Sequence, residues 1–283
     1  MTEERRGLLY VAAAALVWST GGLGIKAVDA PPLAVACLRS AVAAVALGAV
    51  LRPRLWTLRP GFLVAVVAYA ATVTTFVVAT KWTTAANAIF LQYSGVVWVF
   101  LTSPVVLGEP LRWRDAAAIA VALAGMALFF VGSLDARART GDLVALASGV
   151  AYAATALSLR RERGAPAEAA VTYGNALTAV GLAPAALPGL ALSPASAATL
   201  VYLGAVQIGA GYVLFLRGLS RVTATQASIV GMLEPIANPV WVVLLLGERP
   251  SVSAAVGAVV VLAAVAWRTV GGPGAAETAP PSD

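Results

Sequence analysis

Ten apolar runs follow one another along the chain, separated by short turns that carry charges, prolines or glycines. Each run is apolar around its whole circumference, which predicts helices with lipid or other helices on every side. The runs are too long and too uniform for the strands of a membrane barrel, and open strands do not occur in hydrocarbon. We therefore predict an all-α, polytopic membrane protein with ten transmembrane helices, at residues 8–26, 33–51, 62–80, 85–107, 115–131, 143–159, 169–187, 197–216, 222–246 and 252–268.

Composition supports this prediction and leaves no room for a soluble domain. Of 283 residues, 60% are hydrophobic and 11% are charged, whereas an average soluble domain carries about 25% charged residues. Arg5 and Arg6 precede the first run as in a signal peptide, but Pro31 and Pro32 make a poor cleavage context, so we expect this helix to be retained. The Pro/Gly-rich tail at 271–283 is expected to be disordered.

The residue types present exclude several kinds of chemistry. The chain has no histidine and one cysteine, Cys37, which excludes zinc sites built on His or paired Cys and the Ser-His and Cys-His nucleophile pairs. No nucleotide-binding loop is present. We therefore expect no metal, no cofactor and no direct coupling to ATP, and an intramembrane enzyme is the least favoured function.

The distribution of Lys and Arg predicts the orientation. If the N-terminus is cytoplasmic, 13 of the 19 basic residues fall on the cytoplasmic side and 5 on the other, with Arg39 inside a helix. This excess follows the positive-inside rule and places both termini in the cytoplasm. It also accounts for the net charge of +6 without a nucleic-acid partner.

An internal repeat divides the chain into two halves. The segment at 84–109 resembles the segment at 223–248 at a constant offset of 139 residues, and both end in Leu-Gly-Glu, at Glu109 and Glu248. We predict two five-helix repeats, residues 1–135 and 136–270. Because five is odd, the second repeat enters the membrane from the opposite face, which is the inverted architecture of secondary transporters. Glu109 and Glu248 then end equivalent helices on opposite sides, and we interpret them as structural or gating residues.

The order of several motifs resembles the EamA-type branch of the drug/metabolite transporter superfamily. The matching features span about residues 8–270 and are Trp18, Arg39 after Pro31-Pro32, the segment at 86–94, the two Leu-Gly-Glu endings, Tyr152 with Arg160-Arg161, and Leu233-Glu234-Pro235. The resemblance implies ten helices in two inverted repeats, an inner-membrane location and transport of small metabolites or drugs, commonly as export. One departure is Gly95-Val96, where many members carry a proline.

Glu234 is the most informative residue. It lies near the centre of the ninth predicted span, where a carboxylate costs about 2.5–3.5 kcal/mol on insertion scales. We expect it to bind a coupling proton or the amino group of a substrate; the alternative is a structural carboxyl bonded to a neighbouring helix. Pro235 and Pro239 should break the helix beside it, and Asn238 shares its face. A plain packing kink is the alternative.

Further polar and aromatic residues fall inside predicted spans. Arg39 is either a structural anchor that reaches the interface or a contact for a substrate anion or for Glu234. Aromatic faces bind cations. We therefore also expect five further residues to contribute to binding, and the alternative is that they pack in the core. These residues are Trp18, Gln92, Tyr93, Asn175 and Gln207.

These features predict a secondary transporter, and export is the expected direction. It would move an amino-acid-like, cationic or aromatic metabolite through the lipid bilayer by alternating access around a midplane cavity. A channel and a membrane scaffold without transport remain as alternatives. The sequence does not set the oligomeric state.

Overall fold

A computed structural model of the protein describes residues 2–53, 58–129, 139–186, 191–237 and 252–270. Within these ranges all regular structure is helical and none is strand, which confirms the predicted all-α class. The helices are α1 (Glu3–Trp18), α2 (Gly21–Ala27), α3 (Pro32–Leu51), α4 (Pro60–Trp82), α5 (Ala85–Gln92), α6 (Gly95–Leu107), α7 (Trp113–Phe129), α8 (Arg139–Glu162), α9 (Gly164–Ala186), α10 (Pro194–Tyr202), a π-helix (Leu203–Ala210), α11 (Gly211–Leu219), α12 (Ala224–Gly231), α13 (233–237) and α14 (Val252–Val270).

In the described part of the chain, six helical stretches are long and apolar enough to cross a membrane. Their outer faces carry exposed apolar side chains, such as Val45 and Val105, each at least 74% exposed. Such faces are stable in lipid and unfavourable in water. The stretches are Glu3–Ala27, Pro32–Leu51, Pro60–Trp82, Asn87–Leu107, Arg139–Glu162 and Pro194–Leu219.

Within the described residues, three of the predicted spans contain a break. The first breaks at Ser19, the fourth at Tyr93 and the ninth at Met232. Thr84 and Thr223 cap the helices that lead into the last two breaks. The hydroxyl of each threonine accepts a hydrogen bond from the backbone N–H three residues later. Gly108 ends α6 in the left-handed conformation at φ 68°, which accounts for the glycine of the first Leu-Gly-Glu motif.

The principal helix pairs join a helix before residue 130 to one after residue 138. They include α4 with α8 and α7 with α14. Along α4 and α8, Thr72 Oγ1 lies 2.8 Å from Thr155 Oγ1, and Thr83, next to α4, donates to Asp142. Moving forward along α4 therefore moves backward along α8, so the two helices are antiparallel. Along α7 and α14, Arg268 pairs with Asp115 and Gly125 faces Val260, and these helices are antiparallel as well.

α1 and α11 show the same relation, and α3 packs against α9. Gly7 faces Gly218 while Trp18 lies beside Gly211. Cys37 of α3 donates to the Ala179 carbonyl of α9 at 3.2 Å. The buried core lies between these paired helices.

Candidate functional site

A cavity of about 60 Å³ lies in the centre of this helix packing. Its volume is enough for a few water molecules, since each needs about 10–15 Å³. Helices from both ends of the chain line it, through Trp18, Arg39, Thr72, Val73, Phe76, Gln92, Tyr152, Gln207, Ile208, Tyr212 and Glu234.

Glu234 enters the cavity from the break between α12 and α13. It is 9% exposed, and Pro235 follows it. Pro235 has no backbone N–H, so the Gly231 carbonyl four residues earlier loses its usual helical donor. The Tyr93 hydroxyl takes the place of that donor, at 2.6 Å from the Gly231 oxygen. The proline thus creates an acceptor that a distant tyrosine fills.

The same hydroxyl also contacts the carboxyl group. Tyr93 Oη lies 2.9 Å from Glu234 Oε2. A phenol has one hydrogen, so Tyr93 cannot donate fully to both Gly231 and Glu234. If Tyr93 donates to the carbonyl, the second contact is satisfied when Glu234 is protonated and donates to the phenol oxygen. The geometry therefore accommodates a protonated carboxyl.

Arg39 lies inside the protein rather than at its edge. It is 2% exposed, and its Nη2 donates to the Val73 carbonyl at 3.3 Å. The described residues contain no ion pair between Arg39 and Glu234. The cavity wall therefore holds one cation and one carboxyl that do not neutralise each other by contact.

Trp18, Tyr152 and Tyr212 line the cavity, and further aromatic rings pack against them. The Trp18 ring lies 4.9 Å from that of Tyr212 and 5.0 Å from that of Phe215. The Tyr212 ring also meets that of Tyr69, at 4.8 Å between ring centres. Tyr93 and Tyr152 are 6.3 Å apart. These faces suit an apolar or cationic group.

The predicted polar residues fall in different positions. Gln207 lines the cavity from the π-helix, a form often found at functional sites. Gln92 lines it and donates to Ser148 at 2.8 Å. Asn175 is not among the residues that line the cavity. It donates to the Tyr69 hydroxyl at 2.8 Å, and the Tyr69 ring packs against Tyr212, which lines the cavity. Asn238, Pro239 and Glu248 lie outside the described residues, as does the tail at 271–283.

Several lining residues were not predicted. Tyr152, Tyr212, Thr72 and Phe76 contribute directly to the wall. Tyr212 lies near the end of its predicted span, 197–216, so the mid-span position that selected Trp18 does not single it out. Thr72 gives no such signal, because a threonine bonded within its helix is common in apolar spans; here it also meets Thr155.

Two hydrogen-bonded clusters lie at opposite ends of the helix packing. In the first, Glu109 Oε1 accepts from Arg160 Nε at 2.9 Å, and Oε2 accepts from the Ala224 backbone N–H at 3.0 Å. The carboxylate thus lies at the N-terminus of α12, where the helix dipole stabilises it. Nearby, Gln226 donates to Glu4.

The second cluster lies where α4 ends and α8 begins. Asp142 accepts from Thr83 Oγ1 at 2.8 Å and from Asn87 Nδ2 at 2.9 Å. Lys26 donates to the Thr83 carbonyl, and Lys81 to the Val28 carbonyl. Side chains from distant parts of the chain therefore meet at both ends of the helix packing.

Comparison with known proteins assigns the chain to a family. The EamA-like transporter family matches residues 5–131 and again residues 139–269. The chain belongs to the EamA-like transporter family. This confirms the resemblance found in the sequence and identifies a multi-pass membrane protein of the transporter class. The family points to a transporter rather than an enzyme.

Two similar proteins extend this comparison. A protein of Streptantibioticus cattleyicolor named "Probable terminal-alkyne amino-acid exporter" is 31% identical over 174 residues, which cover 60% of this chain and 59% of that protein. A protein of known crystal structure is 20% identical and covers 94% of this chain and 99% of its own length, with a TM-score of 0.77. At that identity the likeness shows a common fold.

Proposed function

We propose that the protein is a secondary-active exporter of small, amino-acid-like metabolites that works by alternating access around the central cavity. The observation that carries the proposal is Glu234, a carboxyl group that a proline break delivers into a cavity walled by helices from both halves of the chain. Intramembrane carboxyls in such positions bind substrates or protons.

The proposed architecture is ten spans in two inverted repeats, 1–135 and 136–270. In this scheme α3 and α9 are the second spans of the two repeats, and α7 and α14 are the fifth. Each such pair packs together, and α7 runs antiparallel to α14. α4 belongs to the third span of the first repeat and packs against α8, the first span of the second repeat. The equivalent pair with the repeats exchanged, α11 and α1, packs together as well. Antiparallel packing of equivalent helices is what an inverted repeat requires.

The interruptions of the fourth and ninth spans support the same scheme. Tyr93 and Met232 mark these breaks and are 139 residues apart, the offset of the repeat. The N-caps Thr84 and Thr223 keep that offset. Asn87, three residues after the first cap, donates to Asp142 near the first span of the second half. Gln226, three residues after the second cap, donates to Glu4 near the first span of the first half.

The clusters at the two ends of the helix packing then serve as gates. The excess of basic residues places the Glu109 cluster at the cytoplasmic side of the inner membrane, together with both termini, and the Asp142 cluster at the outer side. Alternating access requires one gate to open while the other stays closed. Both gates join the two halves, so relative movement of the halves would break one set of contacts at a time.

A proton is the proposed coupling ion. The arrangement of Tyr93 between Gly231 and Glu234 suits a protonated carboxyl, and loss of that proton would leave the carboxylate free for the amino group of a substrate. Other ionisable groups at the cavity are Arg39 and the hydroxyls of Tyr152 and Tyr212. The name of the Streptantibioticus cattleyicolor relative supports an amino-acid substrate.

Efflux from proteoliposomes tests this function. Vesicles loaded with radiolabelled L-propargylglycine, a small terminal-alkyne amino acid, should lose it faster when the outside is made acidic. Glu234→Gln should remove this stimulation, whereas Glu168→Gln, which changes a carboxyl outside the cavity, should not. The proposal is wrong if Glu234→Gln leaves both the efflux and its pH dependence unchanged.

A further inference from the structure

Unpartnered polar atoms are concentrated at the cavity. Among the described residues, five buried side-chain polar atoms have no hydrogen-bond partner, and three of them belong to residues that line the cavity: Trp18 Nε1, Arg39 Nε and Gln207 Oε1. All three side chains are at most 8% exposed. Buried polar groups are nearly always paired in proteins, so unpaired groups on three residues of one cavity wall point to a ligand that binds there.

The identity of these atoms defines the chemistry of that ligand. The indole Nε1–H of Trp18 and the Nε–H of Arg39 are donors only, and Arg39 also carries a permanent positive charge. Two donors and a cation match a carboxylate. Within the described cavity wall the carboxyl available to balance this charge is that of Glu234, which makes no ion pair with Arg39.

The surrounding residues hold both donors in place. A side chain at position 211 would collide with the indole nitrogen of Trp18, so Gly211 leaves room for this ring position. Tyr212 and Phe215 pack against the same ring. The Val73 carbonyl accepts from Nη2 of Arg39 and fixes the guanidinium, while Nε stays without a partner.

We propose that Trp18 and Arg39 form a carboxylate subsite for the transported molecule. The substrate is then a zwitterion: its carboxylate binds the indole N–H and the guanidinium, and its ammonium binds Glu234. This inference rests on the proposed function and makes it more specific, because it separates amino acids from amines that lack the carboxylate. Gln207 supplies an acceptor beside the same cavity for the ammonium.

Uptake into proteoliposomes, with competing compounds, tests the subsite. The substrates are L-propargylglycine, L-valine, L-leucine and L-phenylalanine. The competitors are the methyl ester of L-propargylglycine, which keeps the ammonium, and the corresponding acid without the amine. Trp18→Phe keeps an aromatic ring and removes the indole N–H. Arg39→Lys keeps the charge and removes the Nε–H. Trp98→Phe on the exposed face of α6 is the matched control.

The expected result is a change that depends on the carboxylate. For the wild type, the ester should compete at least tenfold more weakly than the amino acid, since a lost hydrogen bond to a charged group is worth about that factor or more. Trp18→Phe and Arg39→Lys should raise the KM of the amino acid by a similar factor and leave competition by the ester unchanged. Trp98→Phe should change neither value.

Three outcomes would overturn the inference. Equal competition by the ester and the amino acid in the wild type would show that no group reads the carboxylate. If both variants weakened the binding of the amino acid and of its methyl ester equally, Trp18 and Arg39 would have a structural role. If the wild type transports none of the four amino acids, the proposed function itself is refuted. If Arg39→Lys fails to give a monodisperse protein, the Trp18→Phe comparison alone decides the matter.

Discussion

Loss of the Glu109 carboxylate should open the cavity toward the cytoplasmic side. Glu109 joins three elements: Arg160 at the end of α8, the first turn of α12 through Ala224, and, through Arg160, the Leu219 carbonyl at the end of α11. The substitution Glu109→Gln keeps the shape of the side chain and removes its charge. Arg160 then stays enclosed without its carboxylate.

The size of the effect follows from how enclosed the pair is. The side chains of Glu109 and Arg160 are 12% and 11% exposed. Removal of one partner from a buried pair costs about 3–5 kcal/mol, but glutamine still accepts one hydrogen bond, so we expect about 2 kcal/mol. This corresponds to a roughly 30-fold shift of the equilibrium away from the state in which this gate is closed.

Thiol labelling measures this shift. Cys37 is the single cysteine and is buried, so Cys37→Ala provides a background in which Gln92→Cys places one thiol at the cavity. A charged, membrane-impermeant thiol reagent should label this cysteine faster in inside-out vesicles when Glu109→Gln is present. Glu3→Gln is the control, since the Glu3 side chain is 64% exposed in both of its ion pairs and exposed pairs contribute little.

The reasoning would be refuted by labelling that does not change with Glu109→Gln. It would also be refuted if Glu3→Gln produced an equal increase, because the effect would then reflect the charge of the surface rather than the enclosed pair. Faster labelling from the opposite face would show that the orientation is wrong.

Two further predictions concern the outer gate and the close packing of the helices. Asp142→Ala removes the carboxylate that joins α8 to Thr83 and Asn87, so it should speed labelling of the same cysteine in right-side-out vesicles; an increase in inside-out vesicles instead would contradict an inverted arrangement of gates. Gly95→Ala should lower the Tm in detergent, because the new methyl group would meet the Gly149 carbonyl, whereas Gly48→Ala meets nothing within 4 Å and should raise stability by about 0.5–1 kcal/mol. Equal Tm values for these two variants would contradict the packing of α6 against α8.

The sequence predicted the all-helical class and several residues that line the cavity, because both follow from the bilayer. Long apolar runs identify spans, and a charged or aromatic residue in the middle of a span needs a special environment. This reasoning found Glu234, Arg39 and Trp18, all of which line the cavity. It could not separate Asn175, which supports the wall from behind, from residues in the wall itself.

The remaining features depend on contacts between distant parts of the chain. Pro235 predicts a freed carbonyl, but nothing in the local sequence indicates that Tyr93 donates to it. Spans that are apolar all round do not show which face meets the cavity, so Thr72 and Tyr212 were missed. The π-helix at Leu203–Ala210 has no periodicity that distinguishes it from an α-helix.

Counterflow tests the central claim most directly. Proteoliposomes are loaded with unlabelled L-propargylglycine and diluted into a trace of the radiolabelled compound, without any pH gradient. A carrier with one cavity that opens to alternate sides should give a transient accumulation of label above equilibrium, and Glu234→Gln should abolish or strongly reduce it. Label that only equilibrates, with no overshoot, would indicate a channel, and no entry of label would indicate a protein that does not transport this amino acid; either result would contradict the account.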